Sequence, residues 1–198
     1  MVEMKQWQIR RQGWFWLAEN ASLSGQVVIG DDCSIWFAAT IRGDVARISL
    51  GQRVNVQDGA IIHCDSGVDQ IIGDQVTVGH GAVLHGARIG NRVLIGMKAV
   101  LLGQSVVEDD AMVAAGAVVS PGMRIPAGMV AMGVPARVVR PIRAGERAAN
   151  LANNDHYVEL AADHCRHPDK YYFGAPTRLE PHPAARPECG ANPPGQNF

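Results

Sequence analysis

Three histidines, His63, His80 and His85, lie within 23 residues of one another near the middle of the chain. Imidazole nitrogen is a ligand for zinc and its neighbours in the periodic table. Three neutral imidazoles with an open fourth position form an arrangement that brings the ionisation of water to about neutral pH. The hydroxide so generated can attack an electrophilic carbon. The remaining histidines, His156, His164, His167 and His182, are set apart toward the C-terminus and are read as surface or packing residues. Whether the first three can meet depends on the elements that carry them.

Those elements follow from a six-residue period. Branched aliphatics recur at Ile72, Val78 and Leu84, then, after one five-residue step, at Ile89, Ile95, Leu101, Val107, Val113, Val119 and Ile125. Upstream the series runs Ile29, Ile35, Ile41 and Leu50, Val56, Ile62, with extra residues at 45–49 and 64–71 read as loops. Glycine often follows the aliphatic, at Gly30, Gly51, Gly73, Gly79, Gly90 and Gly96, where it is expected to tolerate corner dihedrals. The fifth position is often small, as at Ala39, Ala60, Ala82, Ala99, Ala111 and Ala117. Neither an amphipathic helix nor a hairpin sheet has this period. Three flat sides meeting at tight corners do, giving triangular coils of about 18 residues and a parallel β-helix.

The register turns sequence positions into places. Arg42, His63 and His85 each follow the third aliphatic of successive coils. Coils stack about 4.8 Å apart, so His63 and His85 should occupy neighbouring rungs, with Arg42 one rung above. His80, five residues of mostly extended chain from His85, should lie on the order of 15 Å away. It can join His63 and His85 only from a neighbouring subunit, and packing about a threefold axis gives three such sites per trimer. Asp58 falls one rung above His80 and is read as structural or supporting, whereas alternation points Cys64 away from the ligand face.

The flanks and bulk properties complete the reading. Residues 1–20, with Trp7, Trp14 and Trp16, are expected to cap the first coil of a β-helix over 21–140. Residues 141–170 have helical composition and are expected to pack along the prism; 171–198 are proline-rich and read as a disordered tail or an arm on a neighbour. A net charge of −1 favours neither nucleic acid nor an anionic membrane, and no apolar run approaches the roughly 20 residues of a membrane span. Four scattered cysteines without framework spacing, and no recognisable secretory signal, fit a cytoplasmic protein with reduced thiols.

The segments IRGD (41–44), NVQDGAIIH (55–63), VGHGAVLHG (78–86) and GVPARVVR (133–140) resemble the γ-class carbonic anhydrase family. The resemblance covers about residues 20–165. It implies a left-handed β-helix with a C-terminal α-helix, and a homotrimer. By matching positions, His63 and His85 of one subunit and His80 of the next would hold zinc, or iron or cobalt in some members. Arg42 and Asp44 match an inter-subunit ion pair, and Gln57 a residue beside the metal-bound solvent or bicarbonate. Asn55 matches a polar site residue, and Tyr157 a tyrosine of the C-terminal helix.

The chain departs from the prototype subclass, which carries an acidic loop that shuttles protons. Here Val45–Ser49 has no carboxylate, and the 64–70 stretch offers only Asp65 and Asp69. Slow proton removal means slow turnover. The short-loop relatives include phenylacetate-degradation and carnitine-operon proteins. The leading function is therefore a carbonic anhydrase hydrating carbon dioxide, a small-molecule substrate. The alternatives are an acyl-CoA thioesterase, for which Arg137, Arg140 and Arg143 are candidate phosphate contacts, and a metal-stabilised scaffold without turnover.

Overall fold

The computed structural model describes residues 7–171. Residues 1–6 of the expected cap and the proline-rich segment past Tyr171 lie outside the described residues.

The period of six folds as a left-handed parallel β-helix of about six turns. One face stacks the strands Ser34–Ile35, Asn55–Val56, Thr77–Val78, Leu94–Ile95, Met112–Val113 and Met129–Met132. The second stacks Ile61–His63, Val83–His85, Val100–Leu101 and Val118–Val119, and the third stacks Gln70–Ile72, Arg88–Ile89, Val106–Val107 and Arg124–Ile125. Thr40–Leu50 is a single long strand that rounds a corner and serves both of these faces. The extra residues at 45–49 are thus a continuation of strand rather than the expected loop, because the paired strand Ser22–Ile29 follows them through a register shift between Gly25 and Val27. In the second insertion only 64–69 is irregular, since Gln70 and Ile71 already belong to a strand.

Every repeat aliphatic from Ile35 to Ile125 is buried in one continuous core. Burying each such side chain contributes about 1.5–3 kcal/mol. Ile29 is only partly buried, because its coil is the first and has a neighbour on one side. Phe15 and Leu17 pack against that open end from a hairpin of Ile9–Gln12 and Phe15–Ala18. Cys33 and Cys64 point into the prism, where burial pushes the Cys33 thiol up to about 12 and raises Cys64 as well.

The glycines after the aliphatics do a different job from the one expected. None of Gly30, Gly51, Gly73, Gly79, Gly90 and Gly96 has a positive φ. A Cβ at Gly30 would instead stand 2.4 Å from Gly51 O, and one at Gly96 2.4 Å from Ala115 N. These residues let successive backbones approach. The left-handed corners are shared between other glycines, such as Gly59, Gly81 and Gly116, and larger residues: Asp32, Arg53, Gln75 and Arg92 have φ 55° and Asp110 φ 58°. That conformation costs roughly 1–2 kcal/mol per residue. A repeated bond to the preceding coil offsets it, as Arg53 N–H donates to Asp31 O at 2.7 Å, Gln75 to Gln52 O and Arg92 to Asp74 O at 2.8 Å.

The C-terminal segment forms helix α1 (Ala144–Arg166) and one further turn, α2 (Pro168–Tyr171). Only Asn154 and Ala161 of α1 are buried, so a few anchors hold it beside Ser34–Ile35 and Asn55–Val56. Asn154 Nδ2 donates to Arg53 O at 2.9 Å, Arg53 pairs with Asp155 at 2.5 Å, and Tyr157 meets Trp36 edge-to-face with centroids 5.3 Å apart. At its start Glu146 accepts from both ends of the Arg140 guanidinium, at 2.7 and 2.8 Å, and from Arg143 N–H at 2.9 Å.

Two expectations follow. Ile95→Asp places an unpaired carboxylate in the prism and should destabilise by about 4 kcal/mol or more; a soluble variant melting within a few degrees of the parent would contradict the register. Arg140, then the Arg143 amide, holds Glu146 down at about 2. A lowered carboxyl stabilises the folded state above its ordinary value, and this is lost as pH falls from about 4.5 toward 2. Denaturant midpoints measured over that window should fall less steeply for Glu146→Gln than for the parent.

Candidate metal centre

The ladder expected from the register is present. His63 pairs with His85 on one side and Arg42 on the other in the parallel strands of one face. Coil stacking brings the two rings to a centroid distance of 5.2 Å, with His63 Nδ1 3.3 Å from His85 Nε2. Two nitrogens bound at 2.0–2.1 Å to one tetrahedral zinc lie about 3.3–3.4 Å apart, so this separation fits the edge of such a site.

The carboxylates around the rings strengthen the fit. His63 Nε2 is 3.1 Å from Asp44 Oδ1, and His85 Nδ1 is 3.3 Å from Asp65 Oδ1. A carboxylate accepts from the ring N–H, which leaves the other nitrogen with a bare lone pair. Assigned in this way, His63 Nδ1 and His85 Nε2 turn two lone pairs toward each other. A bound cation satisfies both. Asp44 also takes Arg42 Nη1 at 2.5 Å. Partial desolvation pulls the Asp44 carboxyl up, but the hydrogen bonds from Arg42 and His63 outweigh it and leave the group below its ordinary value. The resemblance implies that Arg42 and Asp44 pair between subunits; within one chain they close on each other, two residues apart.

His80 belongs to a second constellation, at the other edge of the face that carries His63 and His85. It occupies the turn between Thr77–Val78 and Val83–His85. Its Nδ1 lies 2.9 Å from Asp58 Oδ2, the same ring-to-carboxylate pattern, and its Nε2 lies 3.5 Å from the Tyr157 hydroxyl. A buried amide chain runs beside it. Asn55 Nδ2 donates to Thr77 Oγ1 at 2.8 Å, Gln57 Nε2 to Asn55 Oδ1 at 3.1 Å, and His80 N–H to Gln57 Oε1 at 3.1 Å. Burial, reinforced by the negative charge of Asp58, raises the Tyr157 phenol. Gln57, His80 and Tyr157 line a cleft of about 370 Å³ with Leu94, Met97 and Met112.

One chain therefore divides the expected residues into two groups: Arg42, Asp44, His63 and His85, and Asn55, Gln57, His80 and Tyr157. Among the described residues no three His, Cys, Asp or Glu side chains of a single chain converge as a metal site. The contact of Asp58 with His80 fits the supporting role read from the register, whereas three contributors escaped the sequence reading. Thr77 was open to discovery, because the same period that stacks His63 on His85 places it opposite Asn55 on another face. Trp36 depends on how α1 closes, and Asp65 falls in an irregular insertion where no register applies.

A family profile described as bacterial transferase hexapeptide (six repeats) matches residues 86–121. The probable carbonic anhydrase of Methanocaldococcus jannaschii is 41% identical over 145 residues, covering 73% of this chain and 91% of that protein. The chain belongs to the γ-carbonic anhydrase-like family of hexapeptide-repeat proteins. The mitochondrial gamma carbonic anhydrase 1 of Arabidopsis thaliana is 43% identical over 154 residues, 75% of this chain. The chain spans a little over half of that plant protein, 56% of its length. Among solved structures, a putative acetyltransferase from Bacillus cereus superposes with a TM-score of 0.74 at 36% identity, over 77% of this chain and 88% of that one. Relatives of this family member thus carry enzyme names of two kinds.

Arg42→Ala removes one of the two partners that orient Asp44 and should let the His63 ring reorient. As an exposed, solvent-screened pair it contributes little to folding. The melting temperature should therefore move little, while self-association measured by sedimentation weakens; an unchanged dissociation profile would count against an interface role.

Proposed function

We propose that this protein is a carbonic anhydrase-like lyase, a homotrimer that interconverts carbon dioxide and bicarbonate at metal sites shared between subunits. The observation that carries the reading is the 3.3 Å approach of His63 Nδ1 to His85 Nε2, with the outer nitrogens on Asp44 and Asp65. Together with His80 of the partner subunit, they would hold zinc, with iron or cobalt as alternatives. A zinc ion so held supplies Lewis acidity sufficient to bring water to ionise near neutral pH.

The chain's own residues do the rest. Asp44, Asp58 and Asp65 fix the three imidazole tautomers, so the ligand nitrogens need no reorganisation on binding. Gln57 has its carbonyl occupied by the His80 amide and one amide hydrogen by Asn55. Its second hydrogen is available to an oxygen of carbon dioxide or bicarbonate in the cleft. Leu94, Met97 and Met112 give that cleft an apolar wall suited to a small uncharged substrate. Tyr157, with its raised phenol, stays protonated beside His80 and can donate.

Trimer formation has support in the surface between the two constellations. The outward residues of the face carrying His63 and His85 are Ile61, Val83, Val100 and Val118, an aliphatic strip left at least partly exposed in the single chain. A copy packed there buries the strip and carries one subunit's His80 toward the next subunit's His63 and His85. The three described cysteines, Cys33, Cys64 and Cys165, are free thiols, which supports placement in the reducing cytoplasm. No helix among the described residues is long and apolar enough to cross a membrane. The thioesterase alternative is weakened at Arg140, whose guanidinium is already engaged by Glu146.

His80→Ala should lower bound metal from about one per chain to near zero while the folded trimer persists, read by elemental analysis and sedimentation. Carbon dioxide hydration by stopped flow should fall in step. Full metal occupancy in this variant would overturn the shared site. Full loading of the parent without hydration would leave the scaffold reading in its place.

A further inference from the structure

We propose that Asp65 is the positioning residue for His85, lodged in a notch that Gly86 and Gly103 keep open so that its carboxylate holds Nδ1–H and turns Nε2 toward His63. The inference rests on the metal reading above and deepens it.

Asp65 is not part of the repeat. It opens the irregular stretch 64–69, whose turn is closed by Val68 N–H donating to Asp65 O at 3.0 Å and tied to the preceding corner by Gly67 N–H donating to Val45 O at 3.2 Å. The side chain folds down across the next two coils. Its Oδ1 reaches His85 Nδ1 at 3.3 Å, and its Oδ2 rests over the backbone of Gly86 and Gly103. A Cβ at either glycine would stand 2.5 Å from that oxygen. At Gly103 the three nearest atoms such a Cβ would meet all belong to Asp65. Two coils thus leave one space, and the carboxylate fills it.

The rest of the notch is rigid. Gly86 N–H is shared between His63 O and the buried Gln70 Oε1, both at 3.1 Å. The backbone next to His85 is therefore tied to the coil of His63 and to the strand that leaves the loop. The alternative reading of this carboxylate, a proton acceptor standing in for the acidic loop of other family members, requires it to leave the ring and swing. Its engagement with His85 and its seat on two glycines assign it to orientation instead. A ring released from Asp65 is free to take the Nε2–H tautomer, which places a hydrogen where a lone pair is needed.

The test uses the full-length protein and three variants. Gly103→Ala adds one methyl whose contacts are with the Asp65 side chain, so it should displace the carboxylate with little change in melting temperature. Asp65→Ala removes the carboxylate, and Asp65→Asn keeps an acceptor oxygen without the charge. In metal-free protein, nitrogen-15 shifts of the imidazoles should report the Nδ1–H tautomer of His85 in the parent and Asp65→Asn. In Gly103→Ala and Asp65→Ala they should move toward Nε2–H. Zinc affinity measured against a competing chelator should drop about 10–100-fold in the last two and be largely kept in Asp65→Asn. Parent-like tautomer and affinity in both Gly103→Ala and Asp65→Ala, with the parent binding zinc, would overturn the inference alone. Failure of the parent to bind zinc would overturn the functional reading and this inference with it.

Discussion

A coil of this prism has no interior of its own. Its aliphatic side chains are dry only because another coil lies against it, joined by bonds such as Gln57 N–H to Val78 O at 2.9 Å and Gly79 N–H to Ile95 O at 2.8 Å. Those bonds set the rise, and the rise sets almost everything else. It demands glycine where successive backbones touch, at Gly51 or Gly90, since a Cβ there would collide with the coil beyond. It admits left-handed Arg53 and Arg92 at corners, because each gains a bond to the coil before. It also delivers two histidine rings to a fixed separation without any loop having to be held in place.

The chemistry comes from decorating that lattice unevenly. Three imidazoles each have one nitrogen on an aspartate, with Asp44, Asp58 and Asp65 supplied by the middle of a long strand, a corner and an insertion respectively. A bare imidazole on a solvated surface samples tautomers and rotamers freely, whereas one held by a carboxylate presents a defined lone pair. The polar residues that complete the arrangement, Asn55, Gln57 and Thr77, are buried against α1 rather than exposed, and each of them has a partner. Helix α1 is polar over most of its surface and contributes to the site mainly through Tyr157, seated on Trp36.

Much of this was legible in the sequence because a period converts residue number into position. Every aliphatic from Ile35 onward is where the repeat put it, and His63 and His85 are partners in one ladder. The separation of His80 from that pair was legible for the same reason. What the period could not supply was anything that depends on leaving it. The strand through 45–49 looked like a loop because its pairing with Ser22–Ile29 absorbs a bulge that composition does not mark. The glycines were assigned to corners on propensity, yet close approach, which depends on the adjacent coil and not on the residue's own dihedrals, is what selects them. Asp65 counted as a lone acid in an insertion, and its contact with His85 exists only once the insertion folds back.

The long strand Thr40–Leu50 has a consequence for how such a molecule can change over time. Like its partner Ser22–Ile29 it serves two faces, and the coils bearing Arg42, His63 and His85 are indexed from it. The last turn, from Val118 to Ile125, meets the histidines only through lamination, so whole turns can be gained or lost at that end as if trimming a stack of plates. A single residue gained inside a strand has no such freedom, because it would exchange the inner and outer surfaces of that side; near the histidines, changes of length are absorbed outside the strands, as in the five-residue step from Leu84 to Ile89 and the insertion at 64–69. Length is thus free in whole turns at one end of this protein and confined to the joints between strands near its histidines.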